Sequence, residues 1–482
     1  MAKRKSSKGL GRRATVKAGP AKRFFVSMLT RDIELSDAIL DLLDNCVDGI
    51  AREKKRLGDE SKTYKGYWAK ISATPNGFEI WDNCGGIPRK VAIDYAFMLG
   101  RPDLSTDADI ETVGMYGIGM KRAMFKLGLE SNVQSQTDAT AYEVSISESW
   151  MNNDDLWDLT LAPMSPEFDE NGTRISVTEL HPGIARQFST DSTFLEDLSN
   201  EIASHYAVIL GRGFNVHLNG SKIKPADLRI LVPKKLDPNA SEATIEPYLF
   251  TGKFDDVEIE LAVGFYRSLA TEDEIDELSK RSMKQNAGWT VICNDRIVLY
   301  NDKSPKTGWG TGGVPGFHNQ FISIAGVVSF RSKSSLHLPL NTTKRGIDTS
   351  SEIYHIVLPY MQKGLKKFTS FTNDWKKQPE LASEYFSELN LVPAHKVSAK
   401  LMKDDSGSKI RTHKDRGEAR YYAPELPKPP KAEVKNRRIS YKALKSEIAI
   451  VADYYFESEP SMEELGIECF KESLALAKEA RG

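Results

Sequence analysis

In the stretch DLLDNCVDGIAR, residues 41–52, Asp41, Asn45, Asp48 and Arg52 stand at i, i+4, i+7 and i+11. That spacing lines up two carboxylates, an amide and a guanidinium on one helical face. Leu35, Ile39, Leu42, Cys46 and Ile50 supply the adjacent apolar stripe. An amide and a carboxylate one turn apart suit Mg2+, which takes oxygen ligands and keeps several waters. By itself such a face is usually an ordinary solvated surface. A second group is IWDNCGGIPRK, residues 80–90. Asp82 ends a strand as a hydrogen-bond acceptor, and Gly85 and Gly86 let the backbone approach a ligand closely. A tight turn would use the same residues.

A third group, GMYGIGMKRAMFKLG at 114–128, places Gly114, Gly117 and Gly119 before a helix, with Lys121 in its first turn. Bare backbone N–H groups at a helix start, beside a lysine, are suited to phosphate. No strand directly precedes these glycines and no GK[ST] occurs, so neither a dinucleotide fingerprint nor a Walker loop is present. The fourth group, NGTRISV at 171–177, opens a strand at Thr173.

The elements that must position these groups follow from periodicity. A helix is predicted over 34–56, then a hairpin of WAKISA and FEIWD around Pro75-Asn76-Gly77. AYEVSIS and TRISVTEL are predicted strands, and FLEDLSNEIASHYAVIL a helix. Together they imply an α+β layer, with helices on one face of a mostly antiparallel sheet. FNVHLNG, DVEIELAVGFY, GWTVICNDRIVLY and FISIAGVVSF follow as strands of a second α/β unit. Ile353, Val357, Met361, Leu365 and Phe368 form one stripe of a helix over 351–375, with a kink expected at Pro359. The predicted organisation is a disordered basic arm 1–23, a first domain 24–210, a second 211–375, a basic linker region 376–438 and a helical unit 439–482.

Charge is distributed unevenly, although the 482-residue chain has a net charge of only −1. Residues 1–23 carry nine Lys or Arg and no acid; residues 395–438 carry 13 against 6. The latter, with PELPKPPK, has the composition of a mobile linker with polyproline character near 424–430. The last 44 residues reverse the sign, with 5 basic and 9 acidic side chains, and Leu444, Ile448, Val451 and Tyr455 as their apolar stripe. A 40% hydrophobic content excludes a wholly disordered chain. No run approaches the ~20 apolar residues that span a bilayer, and the basic start lacks a secretory core. Four scattered cysteines without a C-x-x-C pair fit a reducing cytoplasm. Eight singly placed histidines offer no metal spacing, and no G-x-S-x-G elbow occurs. Tyr421-Tyr422, in the basic linker, are either packing residues or a stacking platform for single-stranded nucleic acid.

The four groups in this order resemble the GHKL, or Bergerat, ATP-binding fold of gyrase B, the ATP-dependent heat-shock chaperone, MutL and histidine kinases. The resemblance covers about residues 24–190. It implies a Bergerat-type α/β sandwich, followed here by a second, transducer-like α/β domain and a helical C-terminal region. It implies ATP and Mg2+ as cofactors, with Asn45 the Mg2+ ligand, Asp82 the acceptor of the adenine amino group, and Gly86 leaving room for adenine. Thr173 would join the adenine contact through water. Gly114, Gly117 and Gly119 would close over the phosphates, within a lid at 99–119. Asp48, Ile87, Ile118 and Lys121 belong to the same implied ATP-binding set. Within the fold, the glycine loop with Lys121 and the stretch LPLNTTKRGID, residues 338–348, look most like the microrchidia (MORC) ATPases. The second domain of clamp-type members sends a basic residue to the γ-phosphate, which implies Lys344, with Arg345 in reserve. GWTVICNDRIV, residues 288–298, is similar to a strand pair of that domain.

Two residues depart from the pattern. Asp41 occupies the place of the usual glutamate base, one methylene shorter, and Cys84 replaces the first glycine of the adenine group. General-base help is typically worth ~10^2–10^4-fold, so a misplaced base predicts slow hydrolysis more than lost binding. The implied function is a nucleotide-gated dimeric clamp that hydrolyses ATP and acts on nucleic acid or protein. The basic stretches 1–23 and 395–438 favour DNA or another nucleic acid, and the acidic C-terminal unit suits a protein partner. The alternative is a very slow or non-hydrolysing ATP-binding switch, for example in a bacterial antiviral-defence or genome-maintenance complex. A histidine kinase is disfavoured, because no histidine precedes His181, and a full topoisomerase subunit because no acidic cleavage motif follows.

Overall fold

The computed structural model describes residues 21–98, 100, 117–234, 243–280, 286–341, 344–397, 410–413, 418–430, 439–440 and 442–481. Residues 1–20 of the arm expected over 1–23, most of the expected lid with Gly114, and parts of the expected linker lie outside the described residues. The end of that arm departs from the expectation, because Lys22 and Arg23 open a helix and the buried Lys22 ammonium donates to the carbonyls of Trp150 and Asn153, each at 2.7 Å. The chain divides into two compact units, Met1–Pro429 and Pro430–Gly482.

Helix α1 (Lys22–Arg31) leads into α2 (Leu35–Leu57), which buries Leu35, Ile39, Leu42, Cys46 and Ile50 along the expected stripe. Each fully buried leucine or isoleucine contributes about 1.5–3 kcal/mol of transfer free energy. Gly58 ends α2 in the left-handed region at φ 68°, and its N–H caps the carbonyls of Lys54 and Lys55.

Beneath α2 lies an eight-stranded sheet. Its strands are β1 (Trp68–Thr74), β2 (Gly77–Asp82), β3 (Gly128–Gln136), β4 (Ala141–Ile146), β5 (Leu161–Pro163), β6 (Gly172–Leu180), β7 (Asn215–Leu218) and β8 (Ser221–Lys222). Their order is β5-β4-β3-β6-β2-β1-β7-β8, and every pairing is antiparallel except β1 with β7. The expected hairpin is β1–β2, closed between Thr74 and Gly77. Helices α3 (Gly119–Leu127) and α4 (Phe194–His205) share the core with α2. The single helix expected after residue 193 is divided at Tyr206, whose side chain turns inward, and resumes as α5 (Ala207–Gly211).

The boundary expected at residue 210 moves. FNVHLNG pairs with β1 and completes the first sheet, because Val216 and Leu218 bury against the first core. The second sheet starts later, after β9 (Arg229–Pro233). It consists of β10 (Tyr248–Phe254), β11 (Val257–Phe265), β12 (Gly288–Cys293), β13 (Arg296–Asp302), β14 (Ile324–Arg331), β16 (Ile410–His413) and β17 (Glu418–Tyr422). Its order is β13-β12-β14-β11-β10-β17-β16. Helix α6 (Glu352–Trp375) packs Val357, Met361, Leu365 and Phe368 into the second core. It runs through Pro359, which lies on the exposed side where a forfeited hydrogen bond costs least.

The expected mobile linker is largely built into this unit. Helix α7 (Pro379–Ser387) is followed by β15 (Leu389–Pro393), which pairs with β9, while β17 pairs with β10. The proline run is held along α6: Trp375 Nε1 donates to the Pro427 carbonyl at 3.1 Å and Lys367 Nζ to that of Pro424 at 3.0 Å. Tyr421 packs against Tyr248 and Tyr360, which favours the packing role over base stacking. Basic composition misleads here because the charged side chains decorate a strand whose backbone bonds and aromatic neighbours do the holding.

In the C-terminal unit, α8 (Lys445–Tyr455) precedes α9 (Met462–Glu479), the latter opened by a Ser461–Glu464 capping box. The expected stripe is only partly sheltered: Leu444 is exposed, and Ala452 and Leu465 are the buried apolar residues among those described there. No helix among the described residues is long and apolar enough to cross a membrane.

Candidate nucleotide site

The inner register of β2 is Phe78, Ile80 and Asp82, so the period-two alternation that buries two apolar side chains delivers a carboxylate under α2. There the Cys46 thiol donates to Asp82 Oδ2 at 3.5 Å and the Cys84 N–H to Oδ1 at 2.8 Å. Burial pushes the Asp82 carboxyl up to about 6, against the pull of backbone hydrogen bonds from Cys84 and Thr173. Thr173 lies directly opposite Asp82 in the β2–β6 pairing and is buried.

Past Asp82, Gly85 and Gly86 take φ of 96° and 71°, while Cys84 stays outside the left-handed region, as its Cβ requires. A methyl group on Gly86 would overlap the Gln136 carbonyl oxygen, and one on Gly172 that of Asp82. The ends of β2, β3 and β6 thus meet backbone to backbone. Ile87 is tied down at both ends, its N–H donating to Ser135 Oγ at 2.7 Å and its carbonyl accepting from Tyr142 at 2.8 Å.

Along α2, Asp41 and Asp48 are buried and Asn45 between them is exposed. Gly119 opens α3 against this face; a methyl group there would come within 3.3 Å of the Asp41 carboxylate. Gly117, at φ 64°, and half-buried Ile118 form the turn into α3. Lys121 departs from the expectation of a phosphate-facing cation. It is 2% exposed and its ammonium donates to the Gly117 carbonyl and, at 2.7 Å, to that of Ala96. Carbonyls left over where short helical turns end attract such a donor, and here the lysine ties the glycine turn to residues 92–96.

Cations from distant parts of the chain do reach α2. Lys344, held in the left-handed region at φ 58°, places Nζ 2.9 Å from Asp44 Oδ2 and 3.3 Å from Asp41 Oδ1. Its neighbour Arg345 turns to Asp37 and, at 2.8 Å, to Glu201. Asp41 is also paired with Arg122 of α3. Asp44 accepts from Tyr206 at 2.6 Å and from Arg296 Nε at 2.8 Å. Burial alone would raise its carboxyl, but Lys344, Arg296 and the Tyr206 hydroxyl hold it well below the usual carboxylate range. Burial would likewise lower Lys344, yet the Asp44 and Asp41 charges keep it above the ordinary lysine value.

The fold brings Gly119 and Lys344 to Asp41 on α2, the helix that also carries Asn45 and Asp48, with Gly117 and Ile118 in the turn before Gly119, and sets Asp82, Gly86, Ile87 and Thr173 at the strand ends below. Sequence reasoning missed Asp44, Arg122, Tyr206, Arg296, Gly172 and the thiol of Cys46 as a donor. Asp44 was adjacent to Asn45 in a motif already singled out; Arg122, Tyr206 and Arg296 had no local signal, since their partners lie 81, 162 and 252 residues away.

An exposed amide above a buried acidic helix face, a strand-end carboxylate and a glycine turn opening a helix thus stand together within one α/β domain. Residues 33–176 match the family model for histidine kinase-, DNA gyrase B-, and HSP90-like ATPases. The first domain therefore belongs to the GHKL superfamily and is a nucleotide-binding α/β fold of that class. None of the curated proteins compared matches the chain.

Proposed function

We propose that this chain is a Mg2+-dependent ATPase working as a nucleotide-gated homodimeric clamp. The observation that carries the proposal is Lys344: a residue 299 positions from Asn45 in sequence is seated on the same helix, against Asp41 and the adjacent Asp44. A cation so placed links whatever lies on that helix face to the position of the second domain. The donor set fits Mg-ATP: Asn45 presents the exposed amide oxygen for the metal, and Asp82 with Thr173 forms an acceptor pair for adenine. Gly86 and Ile87 line the base, and Gly117, Ile118 and Gly119 offer backbone N–H groups to the phosphates. Asp48 supports the metal face from within, and Lys121 acts by fixing the glycine turn. Mg2+, when bound, offsets phosphate charge. Asp41 takes a proton from water once Arg122 or Lys344 releases one of its oxygens. Lys344 then turns to the γ-phosphate, and the domains close by population shift.

The client is proposed to be nucleic acid, met by the basic stretches 1–23 and 395–438, with the acidic C-terminal unit docking a basic protein. A MORC-like role in defence or genome maintenance, in the cytoplasm, accords with the motifs. One observation favours the alternative of a very slow switch. Both Asp41 oxygens are held by cations, on a side chain one methylene shorter than the family's glutamate.

Steady-state turnover with Mg2+ in the natural protein and in Asn45→Ala tests the proposal. Loss of ~100-fold or more in the variant is expected if the amide holds the metal. Turnover unaffected by the change would refute the site; no turnover in either, with only the natural protein binding ATP, would select the switch.

A pH dependence follows from Asp82. Its folded value of about 6 lies above the unfolded 3.8, so its contribution to stability is present below pH 3.8 and lost as pH rises through 6. Nucleotide binding runs the other way, because the ionised form is the acceptor. Affinity for a non-hydrolysable ATP analogue is expected to fall by about tenfold from pH 7 to pH 5. Affinity flat across that range in titration calorimetry would remove Asp82 from the adenine contact.

A further inference from the structure

Asp44 is 2% exposed, and the framework fixes it from two directions. Tyr206 bonds Leu40 O at 2.8 Å as well as Asp44, and the Arg296 guanidinium lies 4.3 Å over the Tyr206 ring. Arg296 also donates to the carbonyls of Ile297 at 2.9 Å and His205 at 3.2 Å. Those groups occupy Oδ1, and Oδ2 faces Lys344. Lys344 stands differently: it sits in a tight turn, its N–H on Asn341 O at 3.0 Å, and is tethered to the first domain through its ammonium alone among the contacts described. A fixed carboxylate thus faces a cation on a long, rotatable stem.

We propose that Asp44 is a positioning residue, the resting counter-ion that stores Lys344 beside the nucleotide site and sets how strongly the site prefers a triphosphate to a diphosphate. The inference rests on the ATP reading above. A γ-phosphate gains Lys344 only by displacing it from Asp44, so the carboxylate subtracts from triphosphate affinity. A diphosphate, which lacks that group, is indifferent. Tyr206 and Arg296 contribute by keeping the carboxylate in place.

The test is titration calorimetry with Mg2+ and either a non-hydrolysable ATP analogue or ADP, on the full chain. In Asp44→Asn the analogue is expected to bind about tenfold more tightly, with ADP changed by less than about twofold. Since Asn leaves Arg296 without its charge partner, Asp44→Asn/Arg296→Gln is measured beside it, and the analogue-to-ADP preference should rise there too. Adding Lys344→Ala should erase the gain. An unchanged or reduced preference in whichever variant retains a cooperative unfolding transition would overturn the proposal. So would a gain that survives Lys344→Ala. Natural protein that binds neither nucleotide would overturn the ATP reading together with this one; natural protein that binds both, with no change in preference, would remove the counter-ion role alone.

Discussion

Arg296→Leu is expected to destabilise the first unit by about 3 kcal/mol, the low end of the ~3–5 kcal/mol seen when one partner of a buried ion pair is removed. Arg296 and Asp44 are each about 2% exposed in their side chains, and their contact is 2.8 Å. Leucine restores some apolar contact but leaves Asp44 inside the protein with one charge partner fewer. Lys344 and Tyr206 remain on Asp44, which is why the cost stays near the lower bound. His205 adds to the sensitivity, since its Nδ1–H meets the Ile297 carbonyl at 2.7 Å in the same interface. Urea unfolding followed by tryptophan fluorescence gives the number. A loss below ~0.5 kcal/mol, as for an exposed pair, would mean that water reaches Asp44. Asp44→Asn/Arg296→Leu should recover part of the loss, because no isolated charge is left inside.

Lys344→Ala is expected to lower ATP turnover by about 10^2–10^3-fold, the scale of removing one fixed group from a developing charge. ADP affinity should change little, because the proposal gives the lysine to the γ-phosphate that a diphosphate lacks. The fold should also tolerate the change: Asp41 retains Arg122, and Asp44 retains Arg296 and Tyr206. The comparison is Arg345→Ala, which loses Asp37 at the start of α2 and Glu201 on α4 and should affect stability more than turnover. If Arg345→Ala abolished turnover while Lys344→Ala left it intact, the roles of the two residues would be exchanged.

Much of the first domain was legible in the sequence because its signals are local. Helix α2 follows from a 3.6-residue stripe, the β1–β2 hairpin from alternation around a short turn, and Asp82 from its place at a strand end. Asn45, Asp82, Gly86 and Thr173 all fall within short motifs, so their order alone was informative. Composition proved the weaker guide. A basic, proline-containing stretch has the look of a linker, yet β17 and the 424–430 run are held by backbone pairing and by Trp375 and Lys367, none of which composition encodes. FNVHLNG likewise joined β1 instead of opening the next domain, since any amphipathic strand can serve either sheet until the connection is closed.

By itself, then, the sequence determined the class of the first domain, its amphipathic helix, its core register and the short motifs that carry the proposed nucleotide contacts, all set by spacing within a few turns of chain. Only the tertiary structure decided which of two adjacent cations reaches Asp41 and Asp44 and which reaches Asp37, where Lys121 points, and that Asp44 sits among Tyr206, Arg296 and Lys344. The reason is physical: a buried charge is tolerable only where partners from distant parts of the chain converge on it, and such convergence leaves no periodic trace.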